Sequence, residues 1–176
     1  MNYPSFRDDL AFSQEPNRNA LIDEYCKEFF GAMGNVVEVR NVEDLAEQKK
    51  GYDRLVVLDT DEFFRVEIKF DRYGNTGNFV VELWSDLNRK KGWLFTSRCN
   101  YLLYHFTNTH ITHMLPMPLL RRAWAENEKE WRSIYPEHIK ENVGWTTVFI
   151  LIPIEVLKSA MTDAMIHNHV ERWEVG

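Results

Sequence analysis

The chain has 176 residues, 44% hydrophobic and 14% aromatic, which suits a single domain with a substantial core and excludes a disordered chain. Its formal charge of −6 argues against a uniformly basic surface for nucleic acid, although Arg89-Lys90-Lys91 and Arg98 concentrate positive charge locally. The longest apolar stretch, Val148 to Ile154, contains Pro153 and falls far short of the roughly 18–20 residues that a membrane span requires.

In chain order, Pro4 to Arg18 reads as an irregular lead-in, and MNYPSFRDDLAF carries neither a basic leader nor an apolar signal core, so a cytoplasmic protein is expected. From Leu21 the residues Leu21, Ile22, Tyr25, Cys26, Phe29, Phe30 and Met33 recur at helical spacing, and Gly34 follows where such a helix would end. Val36 to Val39 is a short strand, and Asn41 to Lys50 is polar enough for a surface helix or a loop. Leu55 to Leu58 is a continuous apolar run of the kind a strand covered on both faces shows. The next strand alternates: Phe64, Val66, Ile68 and Phe70 share one face, and Arg65, Glu67 and Lys69 the other. Asp71 to Asn78 is turn-rich, and Phe79 to Trp84 returns as a strand, which predicts a hairpin.

Further strands are predicted at Tyr101 to Phe106, His110 to Met117 and Trp145 to Ile154, with helices from Leu119 to Trp131 and from Ile154 to Met165. A frayed tail is expected over 166–176. The result is an α/β fold, a mixed central sheet flanked by helices in one domain spanning 1–176. Cys26 and Cys99 have no CxxC or paired-His spacing and read as packing residues. His110/His113 do not suit a zinc site, because ligands must converge and residues three apart on a strand point to opposite faces, and His167/His169 sit near a terminus expected to fray. Trp124, Trp131 and Trp145 read as core or interface aromatics.

Asp53, at the mouth of one strand, and Glu67, on the next, are placed to converge with Lys69. Cleavage of a phosphodiester requires an activated hydroxide and neutralisation of charge on the phosphate, which divalent cations supply. Magnesium takes hard oxygen ligands and keeps waters, so two carboxylates and a backbone carbonyl suffice. The lysine ammonium has a separate role, holding the attacking water or the oxyanion of the transition state.

Gly51-Tyr52-Asp53-Arg54 before a hydrophobic strand, then Val66-Glu67-Ile68-Lys69, with 13 residues between Asp53 and Glu67, resembles the D…ExK signature of PD-(D/E)XK nucleases. The continuation through Thr76-Gly77-Asn78, Glu82, Lys91-Gly92-Trp93, Asn100 to Tyr104 and the late Leu151-Ile152-Pro153-Ile154 is similar to small phage-type nucleases of that superfamily. The likeness spans roughly 20–158 and is densest between 51 and 106. It implies a restriction-endonuclease-like core, dependence on Mg2+ or Mn2+, and hydrolysis of nucleic acid, DNA more often than RNA. It also implies an acid on the first helix, for which Asp23 matches best by register, ahead of Glu24.

Taken alone, E-x-K on a solvent-facing strand reads as an ion pair, and only the surrounding match turns it toward catalysis. Glu82 reads equally as a further ligand and as an exposed strand residue. Arg89, Lys90, Lys91 and Arg98 are placed to track a phosphate backbone, with Trp93 stacked on a base or docked in the core. The alternative to a nuclease is a catalytically silent module of the same fold that engages a nucleic-acid structure or a host protein. Cutting both strands would favour a two-fold homodimer.

Overall fold

The computed structural model describes residues 16–72 and 76–174, with the side chains of 16, 17 and 167–174 outside that description. The lead-in over 1–15, the Gly74-Asn75 part of the predicted turn and the His167/His169 side chains therefore lie outside the described residues. The fold is α/β, with mixed sheets flanked by helices. No described helix is long and apolar enough to cross a membrane. Two compact units divide the chain: one takes residues up to 70 with 97–105 and 112–114, and the other takes 71–96, 106–111 and everything from 115.

In the first unit, α1 (Pro16–Gly31) precedes β1 (Val36–Asn41), the short α2 (Leu45–Gln48), β2 (Arg54–Leu58) and β3 (Phe63–Asp71). The helix starts within the expected lead-in, since Pro16 is well tolerated in a first turn, where its missing N–H would have no helical partner. With β6 (Tyr101–Phe106) and β7 (Ile111–Pro116) the strands form one sheet in the order β1-β2-β3-β6-β7. β1, β2 and β3 are successive antiparallel neighbours. Beside β3, Asn100 N–H donates to Arg65 O and Thr107 N–H to Asp71 O, so the bonds advance together along both segments and the pairing is parallel.

The core of this unit follows from the two periodicities. Ile22, Cys26 and Phe30, at four-residue spacing on α1, meet Val56, Leu58, Val66 and Leu103 of the sheet, and Phe64, Ile68 and Phe70 pack around them. Phe30 stacks on Phe64 with ring centres 4.9 Å apart, and Tyr101 closes edge-on against both. Burial pushes the Cys26 thiol up to about 12, which leaves it an inert packing group, as expected.

In the second unit, β4 (Asn78–Asp86) pairs with β5 (Lys90–Lys91) and β9 (Trp145–Pro153), and β8 (Glu137–Asn142) forms the far edge of a four-stranded sheet ordered β5-β4-β9-β8. The short α3 (Trp93–Thr96), α4 (Met117–Ile134) and α5 (Ile154–Glu174) complete it. Phe79, Val81 and Leu83 of β4, Ile150 and Ile152 of β9, and Leu157 and Ala164 of α5 are buried. Trp124 and Trp131 are buried as predicted, with ring centres 6.0 Å apart.

Several expectations are corrected. β3 and β4 belong to different sheets, so they do not pair as the predicted hairpin. Turn-forming residues permit the chain to reverse, but the partner of β4 is β9, whose apolar run Val148–Ile152 offers more to bury. The strand predicted from His110 begins at Ile111, because His110 sits in a turn with φ of 55°. α4 begins at Met117, where Pro118 is accommodated in the first turn. α5 continues past Met165 to Glu174.

Glycine placement yields a first prediction. A Cβ on Gly92 would stand 1.7 Å from Glu82 O, a backbone atom of a central strand that cannot yield. Gly92→Ala is therefore expected to destabilise the protein by about 3 kcal/mol or more, read as a fall in the urea midpoint. An unchanged midpoint would contradict this close approach.

Candidate functional site

The site grows from the segment that delivers Asp53 to the sheet. Asp44 caps α2, its Oδ1 accepting the Ala46 and Glu47 N–H groups at 2.7 and 3.0 Å. The helix exits through Gly51 at φ 77°, where a Cβ would lie 2.8 Å from Ser97 Cα. The next residues enter β2. Asp53 is then fixed on every side: its N–H donates to Val66 O at 2.8 Å, and its carbonyl accepts from Val42 N at 3.1 Å. Its Oδ2 accepts the Ile68 N–H at 2.8 Å.

Arg54 pairs with Val66 and Leu55 with Arg65, and the Asp53 carboxylate, one residue before this ladder, is held at the Ile68 N–H, next to Glu67 in the chain. Glu67 is 6% exposed, which corrects the expectation of an open strand face. Lys69 Nζ lies 2.6 Å from Glu67 Oε1, with its own side chain 36% exposed. Burial and the neighbouring Glu67 charge push the Asp53 carboxyl above its ordinary range, against the opposing influence of Lys69 and the Ile68 N–H. Glu67 and Lys69 share one face of β3, as the alternation predicted, and the Asp53 carboxylate lies near enough to feel both charges.

Asp23 is held elsewhere. Arg54, adjacent to Asp53, points by alternation to the opposite face, toward α1, and is buried. Its Nε donates to Asp23 Oδ1 at 2.9 Å, its Nη2 to Asn19 Oδ1 at 2.7 Å and its Nη1 to the Asp53 carbonyl at 3.2 Å. The helix acid is the counterion of a buried guanidinium. Nothing in the spacing of Asp23 signalled this, although an arginine at an inward position of a core strand announces a need for a buried acid. Among the described residues, no three His, Cys, Asp or Glu side chains gather as a metal-ligand group. Asp53 and Glu67 offer two carboxylates, the hard oxygen type of donor that magnesium takes together with backbone oxygen and water.

The other predicted site residues fall in both units. Arg89, Lys90 and Lys91 belong to the second unit, and Arg98 to the first. Arg89 is 76% exposed on its side chain and lies 3.7 Å from Asp86, while Lys91 Nζ sits 3.7 Å from the centre of the Trp84 ring. Trp93 meets Phe79 edge-on at 5.9 Å and is docked, not free to stack. Glu82 Oε1 accepts the Trp93 N–H at 3.3 Å and so caps α3. No protein-family model, curated protein or solved structure matches this chain.

Proposed function

We propose that the protein is a metal-dependent nuclease of the PD-(D/E)XK type, acting on the phosphodiester backbone of nucleic acid, with DNA the favoured substrate. The observation that carries this reading is the Asp53 carboxylate held at the Ile68 N–H beside the buried Glu67, with Lys69 Nζ 2.6 Å from Glu67 Oε1. A five-stranded sheet ordered β1-β2-β3-β6-β7, with α1 on one face and the acids entering on β2 and β3, supports a restriction-endonuclease-like core.

A magnesium or manganese ion held by Asp53 and Glu67 would supply a hydroxide nucleophile at neutral pH and neutralise charge on the scissile phosphate. Asp53 is oriented for this by the Ile68 N–H, which fixes one carboxylate oxygen and leaves the other for the ion. Glu67 is held against rotation by burial and by Lys69. Lys69 shares the carboxylate face and its ammonium is partly open to solvent, so it can donate to the attacking water or to a phosphate oxygen as charge develops.

Incubation of wild type and Lys69→Ala with a panel of DNA and RNA substrates, in magnesium, manganese or chelator, tests the proposal. Wild type should cut only with metal, and the variant should lose on the order of a hundredfold or more in rate. If wild type cuts nothing on the panel, the reading as an enzyme fails and a silent binding module of the same fold takes its place.

A further inference from the structure

Beyond the two acids, the first unit carries a cationic group that the sequence analysis assigned no role. Phe63, Arg65, Glu67 and Lys69 alternate along one face of β3, so each lies about 7 Å from the next along the strand. Arg65 is not a loose surface side chain. Its guanidinium carbon lies 5.5 Å from the centre of the Tyr52 ring and 5.1 Å from that of Phe63, which fixes its direction between two aromatic faces.

The backbone around Arg65 brings a second cation to it. Asn100 grips Arg65 twice, donating its N–H to Arg65 O and accepting the Arg65 N–H on Oδ1, both at 2.8 Å. Two residues earlier on that segment stands Arg98, exposed, with its N–H bonded to Lys50 O at 2.8 Å. Ser97 Oγ donates to the Gly51 carbonyl, so this segment and the turn that delivers Asp53 are tied together. Arg65 therefore shares its strand face with Glu67, and the segment that carries Arg98 is tied by hydrogen bonds both to Arg65 and to the turn that delivers Asp53.

The neighbouring charges set the limits of the track. Asp59, Asp61 and Glu62 fill the exposed turn before Phe63 and would repel a phosphate there. Glu47 is engaged by Lys50 and by the Tyr52 hydroxyl, and the Arg65 charge also acts on it. The start of β3 is thus acidic, and the cationic groups of this region are Arg65, Lys69 and Arg98.

We infer that Arg65 and Arg98 form a phosphate clamp for the nucleic-acid backbone next to the scissile bond. The inference rests on the nuclease reading and specifies where that site grips its substrate. The ligand is a backbone phosphodiester, contacted through charge and not through base edges, so recognition at this subsite is independent of sequence.

Binding of a fluorescent DNA oligonucleotide, single-stranded and duplex, is measured by anisotropy in calcium across a range of salt. Each arginine that contacts a phosphate should lower the salt slope by about 1 when replaced by alanine, and weaken binding roughly tenfold at about 0.1 M salt. Arg65→Ala and Arg98→Ala should both do so, equally on unrelated sequences. Arg65→Lys, which keeps the charge and loses the stacked plane, should keep the slope and weaken binding by less; it also serves if the alanine variant folds poorly. Arg40→Ala removes one positive charge from β1, where Arg40 pairs with Glu38, and should change affinity by less than about twofold. If Arg65→Ala and Arg98→Ala leave affinity and slope unchanged, or weaken binding only as much as Arg40→Ala, the clamp is overturned. Should wild type still cut nucleic acid in that case, the nuclease reading stands without it.

Discussion

Glu67→Gln is expected to reduce metal-dependent cleavage by on the order of a thousandfold or more, because under the proposed nuclease reading it removes one of the two carboxylates, Asp53 and Glu67, that would hold the ion. Glutamine keeps the volume of a side chain that is 6% exposed, so no cavity opens. It also releases Lys69, whose side chain is 36% exposed and can regain water, so the lost ion pair is replaced by hydration on one side. The stability change should therefore stay within about 1 kcal/mol in either direction. Single-turnover cleavage across a magnesium titration, with thermal unfolding in chelator as the control, separates the two effects. Retained cleavage in a folded variant would remove Glu67 from the site and the nuclease assignment with it.

Lys69 and Glu67 also show how far the amino-acid pattern reached. Alternation over Phe64 to Phe70 assigned the two faces of β3 correctly, because a period of two is fixed by backbone geometry and every inward residue on this strand is apolar. Alternation does not report what lies above a face, and so Glu67 came as a buried acid where an open one was expected. The helical spacing of Ile22, Cys26 and Phe30 likewise identified the packed face of α1.

What failed was long-range pairing. The residues between β3 and β4 carry the same turn signals whether the chain folds back on itself or crosses to another sheet, and only the partner strand decides. β8, Glu-His-Ile-Lys-Glu-Asn, was missed because an edge strand with one solvated side carries little apolar signal. The basic residues Arg89-Lys90-Lys91 and Arg98 were read by sequence adjacency. The fold also ties the Arg98 segment by hydrogen bonds to Arg65, a residue 33 positions earlier that no run of charge could have flagged.

Asp23→Ala should cost about 3 kcal/mol, more than its own partial exposure suggests, because the loss falls on its partner. Arg54 has a side chain 7% exposed against 31% for Asp23, and a guanidinium cannot shed its proton to escape burial. Without Asp23 its hydrogen-bond acceptors among the described residues are the Asn19 amide oxygen and the Asp53 carbonyl, both neutral. Adding Arg54→Met to Asp23→Ala removes the stranded charge and fills much of its volume, so the double variant should be less destabilised than the sum of the two single ones. The same variants distinguish a counterion from a metal ligand. If Asp23 serves Arg54 alone, the single variant lowers the unfolding midpoint while the magnesium requirement of cleavage stays put. If Asp23 also holds the ion, the requirement rises and the double variant does not restore it. Arg54 bonds the Asp53 carbonyl, so a modest loss of rate at saturating magnesium is expected in the double variant, as Asp53 loses one of its restraints. Additive losses in the unfolding measurement would mean that the two side chains act independently, against the 2.9 Å contact between them.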